Sequence, residues 1–272
     1  MRKGGAWWAW LTFAIGATYF IVPLVATLEF SMRQRNNPTF SLFGQGYSFG
    51  VFNNVFGDAR FQQTFTFSVL AALFTILLGI LIVVPTAYWI RLRMPYLRPL
   101  VEFITLLPLV IPAIVIVFGY IRMYGSNSFL PFLGTIGGTN VLLVIGYAVL
   151  SLPYMYRAVD TGLRTVDVPT LTEAAQILGA GWTTIITRVI LPNVLIAVMS
   201  GAFLTFAIVI GEFTMASLLN RPAFGPYMQN LGANRAYEPA ALAIIAFALT
   251  WGCMAMIQFL SRFAPRTANR PN

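Results

Sequence analysis

Long apolar runs separated by short polar stretches continue along the whole chain. Six stand out, at 7–28, 64–90, 100–121, 139–157, 193–212 and 240–260. Each approaches the roughly 20 helical residues needed to cross a hydrocarbon core of about 30 Å. The pattern predicts an all-α, polytopic membrane protein with six transmembrane helices, forming one membrane domain over 1–272. The first run follows Arg2-Lys3 and has the look of a signal peptide. Its apolar stretch from Trp7 to Leu28 is too long for that and lacks a clear small-x-small exit, so it reads as an uncleaved first span.

Prolines interrupt several runs. Span two contains Gly79 and Pro85, span three Pro108 and Pro112, and span four Pro153. Proline removes a backbone hydrogen bond and bends a membrane helix where neighbours or water re-satisfy the freed group. One reading is that proline is simply common in such helices. The other is that the kinks shape a cavity that opens alternately. No internal repeat suggests the inverted halves of a secondary transporter.

Composition sharpens the picture. Hydrophobic residues make up 58% of the 272 and charged residues only 9%, against about 25% in an ordinary soluble chain. Mean hydropathy is +0.77. The 17 basic residues exceed the 8 acidic ones, for a net charge of +9. They are scattered between apolar runs, which argues against nucleic-acid binding. The basic residues act better as topology signals. With the N-terminus in the cytoplasm, Arg2, Lys3, Arg91, Arg93, Arg98, Arg157, Arg164, Arg188, Arg262, Arg266 and Arg270 fall inside. Arg33, Arg35, Arg60, Arg122, Arg221 and Arg235 fall outside. Both termini are then cytoplasmic.

The absences are informative about chemistry. There is no histidine, which excludes a Ser-His-Asp or Cys-His pair and a histidine-ligated metal site. Cys253 has no partner for an intrachain disulfide. The only lysine is Lys3, so no P-loop can be formed. No catalytic residue, metal site or bound cofactor is expected, and any ATP must be bound by another chain.

Among the loops, 158–192 stands out as long, amphipathic and rich in alanine, threonine and glycine. Thr170 followed by Glu173 has the spacing of a capping box, with Pro169 just ahead. This predicts a helix over about 171–178, stopped by Gly179 in a left-handed conformation. A second amphipathic piece, Trp182 to Ile190, leads to Leu191-Pro192. The loop therefore reads as helix, sharp turn, helix. Glu173 either caps locally or pairs with a basic residue of a partner.

The spacing of Glu173, Ala174, Ala175, Gly179, Val189, Leu191 and Pro192 resembles the cytoplasmic coupling motif of permeases in binding-protein-dependent ABC importers. That family usually has isoleucine at the position of Val189. The resemblance covers nearly the whole chain and implies a type I ABC importer permease fold in a bacterial inner membrane. It further implies a second permease subunit, identical or not, two cytoplasmic ATPase subunits that bind ATP and magnesium, and an extracytoplasmic solute-binding protein. On this view small side chains at Ala174, Ala175 and Gly179 let the helix fit a groove on the ATPase. Gly179→Asp is expected to break that docking by adding bulk and charge.

The solute is less legible. Pro108-Leu109-Val110-Ile111-Pro112 and Ile210-Gly211-Glu212-Phe213-Thr214 look like the permeases for spermidine/putrescine, iron(III), sulfate, molybdate and related solutes, phosphonate among them. Within that group the reading leans to a polyamine. Glu212 at the mouth of a cavity would favour a cation, so Glu212, Pro108 and Pro112 are the candidate translocation-path residues. Alternatively Glu212 pairs with an arginine such as Arg221, or lies in the headgroup region. Glu102 reads as interfacial. A secondary transporter is the rival from another class.

Overall fold

A computed structural model describes residues 6–33, 47–125, 127–128 and 130–263. The topology residues Arg2, Lys3, Arg35, Arg266 and Arg270 lie outside the described residues, as does the Arg262 side chain. The fold is all-α. The one β feature among the described residues is an isolated antiparallel bridge between Arg33 and Tyr47.

In chain order the helices are α1 (Ala6–Ser31), α2 (Gly50–Gly57), α3 (Ala59–Arg93), α4 (Arg98–Val110), α5 (Ala113–Tyr124) and α6 (Ile136–Arg164). Next come α7 (Val168–Ile177), α8 (Trp182–Thr184), α9 (Leu191–Asn193) and α10 (Leu195–Gly211). The last are α11 (Thr214–Leu218), α12 (Phe224–Asn234) and α13 (Glu238–Phe263). Four helices, α1, α3, α6 and α13, are long and apolar enough to cross a membrane. Two bent pairs, Pro95–Val110 with Ala113–Tyr124 and Trp182–Asn193 with Leu195–Gly211, bring the number to six if each is one span. The expected six spans hold on that count.

The third span is not the single kinked helix the sequence suggested. It breaks by 94° between α4 and α5. Ile111 is extended, at φ −86° and ψ 115°, and Pro112 caps the start of α5. The ring of Pro112 disfavours the helical conformation at Ile111 and offers no N–H to continue the ladder. Pro108 stays inside α4 and is half-buried. Pro85 and Pro153 likewise sit inside the unbroken α3 and α6. Helix α6 also runs to Arg164, seven residues beyond the expected end, and so takes the start of the 158–192 loop into the helix.

The chain divides into two compact units, one of Met1–Gln63 with Tyr227–Leu249 and the other of Thr64–Pro226 with Thr250–Asn272. In the first, Tyr227 donates its hydroxyl to Asp58 at 2.9 Å, and Phe61 lies beside the Tyr227 ring. The Arg60 backbone N–H and that hydroxyl hold the Asp58 carboxyl below its ordinary range. Burial and the bond to Asp58 push Tyr227 up to about 12. Large apolar side chains of α1, from Trp7 to Leu28, are exposed. That suits a helix bathed in lipid.

The second unit is built on α6. Gly201 of α10 lets Met155 approach closely, and Gly162 of α6 does the same for Ala197. Small residues at such crossings bring backbones near enough for dispersion to hold membrane helices together. At the end of α6 that leads into α7, a buried cluster gathers Val84, Tyr88, Val159, Leu163, Val168, Ala175, Ile185, Ile190 and Val194. This cluster seats the loop described next.

Candidate functional site

Helix α7 begins earlier than the capping-box reading expected. Its N-cap is Asp167, whose carboxylate accepts the Thr170 backbone N–H at 3.4 Å and the Thr170 hydroxyl at 2.7 Å. Pro169 sits in the first turn, where its missing N–H costs nothing. Thr170 is thereby used as a donor, and Glu173 is left exposed, with no side-chain hydrogen bond among the described residues. The helix ends as expected. Gly179 has φ +78°, its N–H donates to Gln176 O at 2.9 Å, and Ala180 N–H donates to Ala175 O at 3.0 Å. This is a Schellman motif, in which a left-handed residue satisfies the last carbonyls.

One face of α7 is fixed to the chain's own core. The Thr172 and Tyr88 hydroxyls lie 2.9 Å apart in a hydrogen bond, with Thr172 only 2% exposed. Ala175 is 8% exposed and belongs to the buried cluster. The expectation that Ala175 lies on the docking face is therefore corrected. Its spacing from Val168 and Thr172 puts all three on the stripe that packs inward. Beyond the turn, Trp182 packs on Trp89 with ring centroids 4.7 Å apart. Residues Ile185–Ile190 then form a wider π-type turn, burying Ile185 and Ile190. Val189 and Leu191 pack partly against the same cluster, while Pro192 is exposed.

The outward face carries Glu173, Ala174 and Gln176 and ends in Ile177, 85% exposed, and Leu178, 86% exposed. Gly179 completes this tip. The motif-based reading did not single out Ile177 and Leu178. The signal was present in the sequence: two large aliphatic residues immediately before a helix-stopping glycine, in a loop between spans.

Next to this loop, Arg98 pairs with Glu102 at 2.9 Å and Asp160 at 3.1 Å, and Arg164 pairs with Asp160 at 2.7 Å and Glu102 at 3.8 Å. The network ties α4 to α6. Glu102, read from sequence as interfacial, is thus an ion-pair partner. Asp160 was not anticipated, although the i,i+4 spacings 98/102 and 160/164 favour such pairs. A cavity of about 860 Å³ opens here, lined by Arg91, Arg98, Asp160, Arg164 and Asp167 among others.

Glu212 lies at the other end of α10. Its carboxylate accepts the backbone N–H of Met215 at 2.9 Å and of Ala216 at 3.3 Å, capping α11. No ion pair joins it to Arg221 among the described residues; the buried Arg221 Nε lacks a hydrogen-bond partner. Of the three candidate path residues, Glu212 accepts backbone N–H groups, Pro112 starts α5 at the break in span three, and Pro108 lies inside α4. No cluster of three or more metal-ligating side chains occurs among the described residues.

Residues 76–269 match the family described as "Binding-protein-dependent transport system inner membrane component". The molybdenum transport system permease protein ModB of Escherichia coli (strain K12) is 30% identical over 220 residues, covering 75% of this chain and 93% of that protein. The spermidine/putrescine transport system permease protein PotB of Haemophilus influenzae is 26% identical over 230 residues, covering 78% of this chain and 74% of PotB. Among solved structures, a bacterial alginate ABC transporter in complex with alginate pentasaccharide-bound periplasmic protein aligns with a TM-score of 0.70 and 15% identity. The alignment covers 96% of this chain and 95% of that one. The MetNI methionine ABC transporter aligns with a TM-score of 0.57 and 20% identity, over 79% and 96% of the two chains. At those identities the likeness is one of fold.

Proposed function

This chain belongs to the family of binding-protein-dependent transport system inner membrane components, and from that premise we propose that it forms half of the solute path of an ATP-driven importer. Its partners are a second permease subunit, two ATPase subunits on the cytoplasmic side, and an extracytoplasmic binding protein that delivers the solute. ATP and magnesium are bound by the ATPases. The chain holds no cofactor and does no covalent chemistry. Both termini and the α7 loop face the cytoplasm on the arginine distribution.

The observation that carries this reading is the tip of α7. A helix whose other face is locked to Tyr88 and the buried cluster leaves Ile177 and Leu178 almost fully exposed. Such exposed apolar pairs on a rigid support gain most by entering a partner's groove. Glu173 and Ala174 flank that contact, and Gly179 shapes its end. Force applied at the tip passes through the Thr172–Tyr88 and Trp182–Trp89 contacts to α3, and through the cluster to α6. Co-purification with the cognate ATPase tests the assignment; a chain that never associates with one overturns it. Uptake that proceeds with no ATPase present would instead favour a secondary transporter.

For the solute we favour a small oxyanion of the molybdate or sulfate kind. The likeness to ModB supports it. So does Arg157, which lines the α4–α6 cavities without a carboxylate partner among the described residues. A polyamine, which the sequence pattern first suggested, keeps the support of the likeness to PotB. It loses the free carboxylate, since backbone N–H groups occupy Glu212. Calorimetric titration of the cognate binding protein with molybdate and with spermidine separates the two. Micromolar binding of molybdate alone is expected; binding of spermidine alone would reverse the choice.

A further inference from the structure

We propose that Arg157 is an oxyanion-contacting residue of the solute path, an inference that rests on the oxyanion-importer reading above. Two adjoining cavities, of about 350 and about 410 Å³, lie along α6. The first is walled by α4, α6 and α10 and the second by α4 and α6. They share Leu106, Pro153, Arg157 and Thr161. Arg157 therefore stands where the two spaces meet.

Its charge is uncompensated. Asp160 and Glu102, the carboxylates that line the second cavity with it, are already held by Arg98 and Arg164. Arg157 makes no ion pair or side-chain hydrogen bond with any described residue and its side chain is exposed. It lies seven residues before the end of α6, roughly 10 Å along the axis. Arg157 is the last residue of the expected fourth span, at its cytoplasmic end, where an ionised guanidinium faces water, a path or a partner.

The neighbours suit a tetrahedral oxyanion in transit. Tyr154 and Thr161 lie three and four residues from Arg157, hence on the same face of α6, and each adds a hydroxyl donor beside the guanidinium. A guanidinium offers paired N–H donors that match two oxygens of an oxyanion. Leu106, Leu109, Ala197 and Leu204 form an apolar remainder. One unpaired cation with a few donors, where an apolar cavity adjoins one lined by the mutually paired Glu102, Asp160 and Arg164, attracts the anion without holding it for long. That is what a transport site requires.

The test uses the complete importer, with its second permease, ATPase and binding protein, in proteoliposomes supplied with labelled molybdate. Arg157→Met is expected to lower the initial uptake rate at least tenfold, and Arg157→Lys to keep it within about threefold of the unmodified complex, because the charge survives. Co-purification with the ATPase confirms that each variant has folded and assembled. Arg157→Met uptake at the unmodified rate would overturn the proposal, as would equal losses in the Lys and Met variants, since a packing role makes no distinction by charge. An unmodified complex that hydrolyses ATP with loaded binding protein yet moves no molybdate, tungstate or sulfate also overturns it, while leaving the importer assignment intact. An unmodified chain without an ATPase partner would instead sink the importer assignment itself.

Discussion

Two excursions between helices, 168–180 and 212–225, stop their leading helix in the same way and use it for opposite ends. In the first, Gly179 takes the left-handed position, with Ala180 N–H bonded back to Ala175 O. In the second, Asn220 takes it at φ 50°, with Arg221 N–H bonded to Ala216 O at 2.8 Å. Yet α11 and the chain after it turn inward. Met215, Ala216, Ala223 and Phe224 are all buried, and Phe224 N–H donates to Ser68 Oγ at 2.8 Å. Helix α7 fixes only one face and holds Ile177 and Leu178 in the open. The motif that ends a helix thus says nothing about its use. The residues placed on either side of the stop decide whether it closes a core or presents a tip.

Variants that act on one excursion alone separate the two roles. The largest expected effect is in the first. Replacing Ile177 and Leu178 together by Asp should reduce co-purification with the ATPase at least tenfold and leave the Tm of the purified chain unchanged. A marked fall in Tm would mean that the tip packs within this chain. In the second excursion the order reverses, with stability lost and association kept in whatever chain folds. Gly225→Ala drives a Cβ into the Glu212 carbonyl and the Phe213 backbone, which should cost about 1–3 kcal/mol as overpacking, read as a lower Tm.

Gly179→Val sharpens the contrast from the other side. Open space surrounds the missing Cβ, so bulk clashes with nothing in this chain. The positive φ alone should cost about 1–2 kcal/mol. Gly179→Asn should be close to neutral, because Asn220 already occupies the equivalent position in α11. Equal losses for Val and Asn in a Tm measurement would show that backbone strain is not the reason for glycine. Gly179→Asp tests charge at the docking tip more than bulk. The smallest effect is expected at Glu212. Glu212→Ala removes the cap of α11 for about 0.5–2 kcal/mol, while Glu212→Gln retains an acceptor and most of the stability. Equal loss of uptake by well-folded Gln and Ala variants would return Glu212 to the solute path.

Much of the fold was legible because membrane insertion is governed by local composition. A run of apolar residues needs only to be long enough to span, so the positions of α1, α3, α6, α10 and α13 could be read from the sequence directly. The chain-stopping role of Gly179 was legible for the same reason, since it depends on one residue's backbone freedom. Proline was not. Pro85, Pro153 and Pro112 look alike in sequence, yet α3 and α6 run on through the first two while the third span breaks at Pro112. Nor was the cap of α7. Asp167 and Thr170 were both competent, and the choice of Asp167 turned Thr170 into a donor and released Glu173.

The sequence was enough for a polytopic helical chain with no histidine and no P-loop lysine, and it carried the loop spacing that resembles the family. Tertiary structure alone decided the direction of each group: Ala175 inward and Ile177 outward, Glu212 onto backbone, Asp160 into an ion-pair network, and Arg157 unpaired between two cavities. The division has a physical cause. Span formation sums transfer free energies along the chain, whereas the facing and pairing of side chains depend on contacts between residues far apart in sequence, which no local pattern contains.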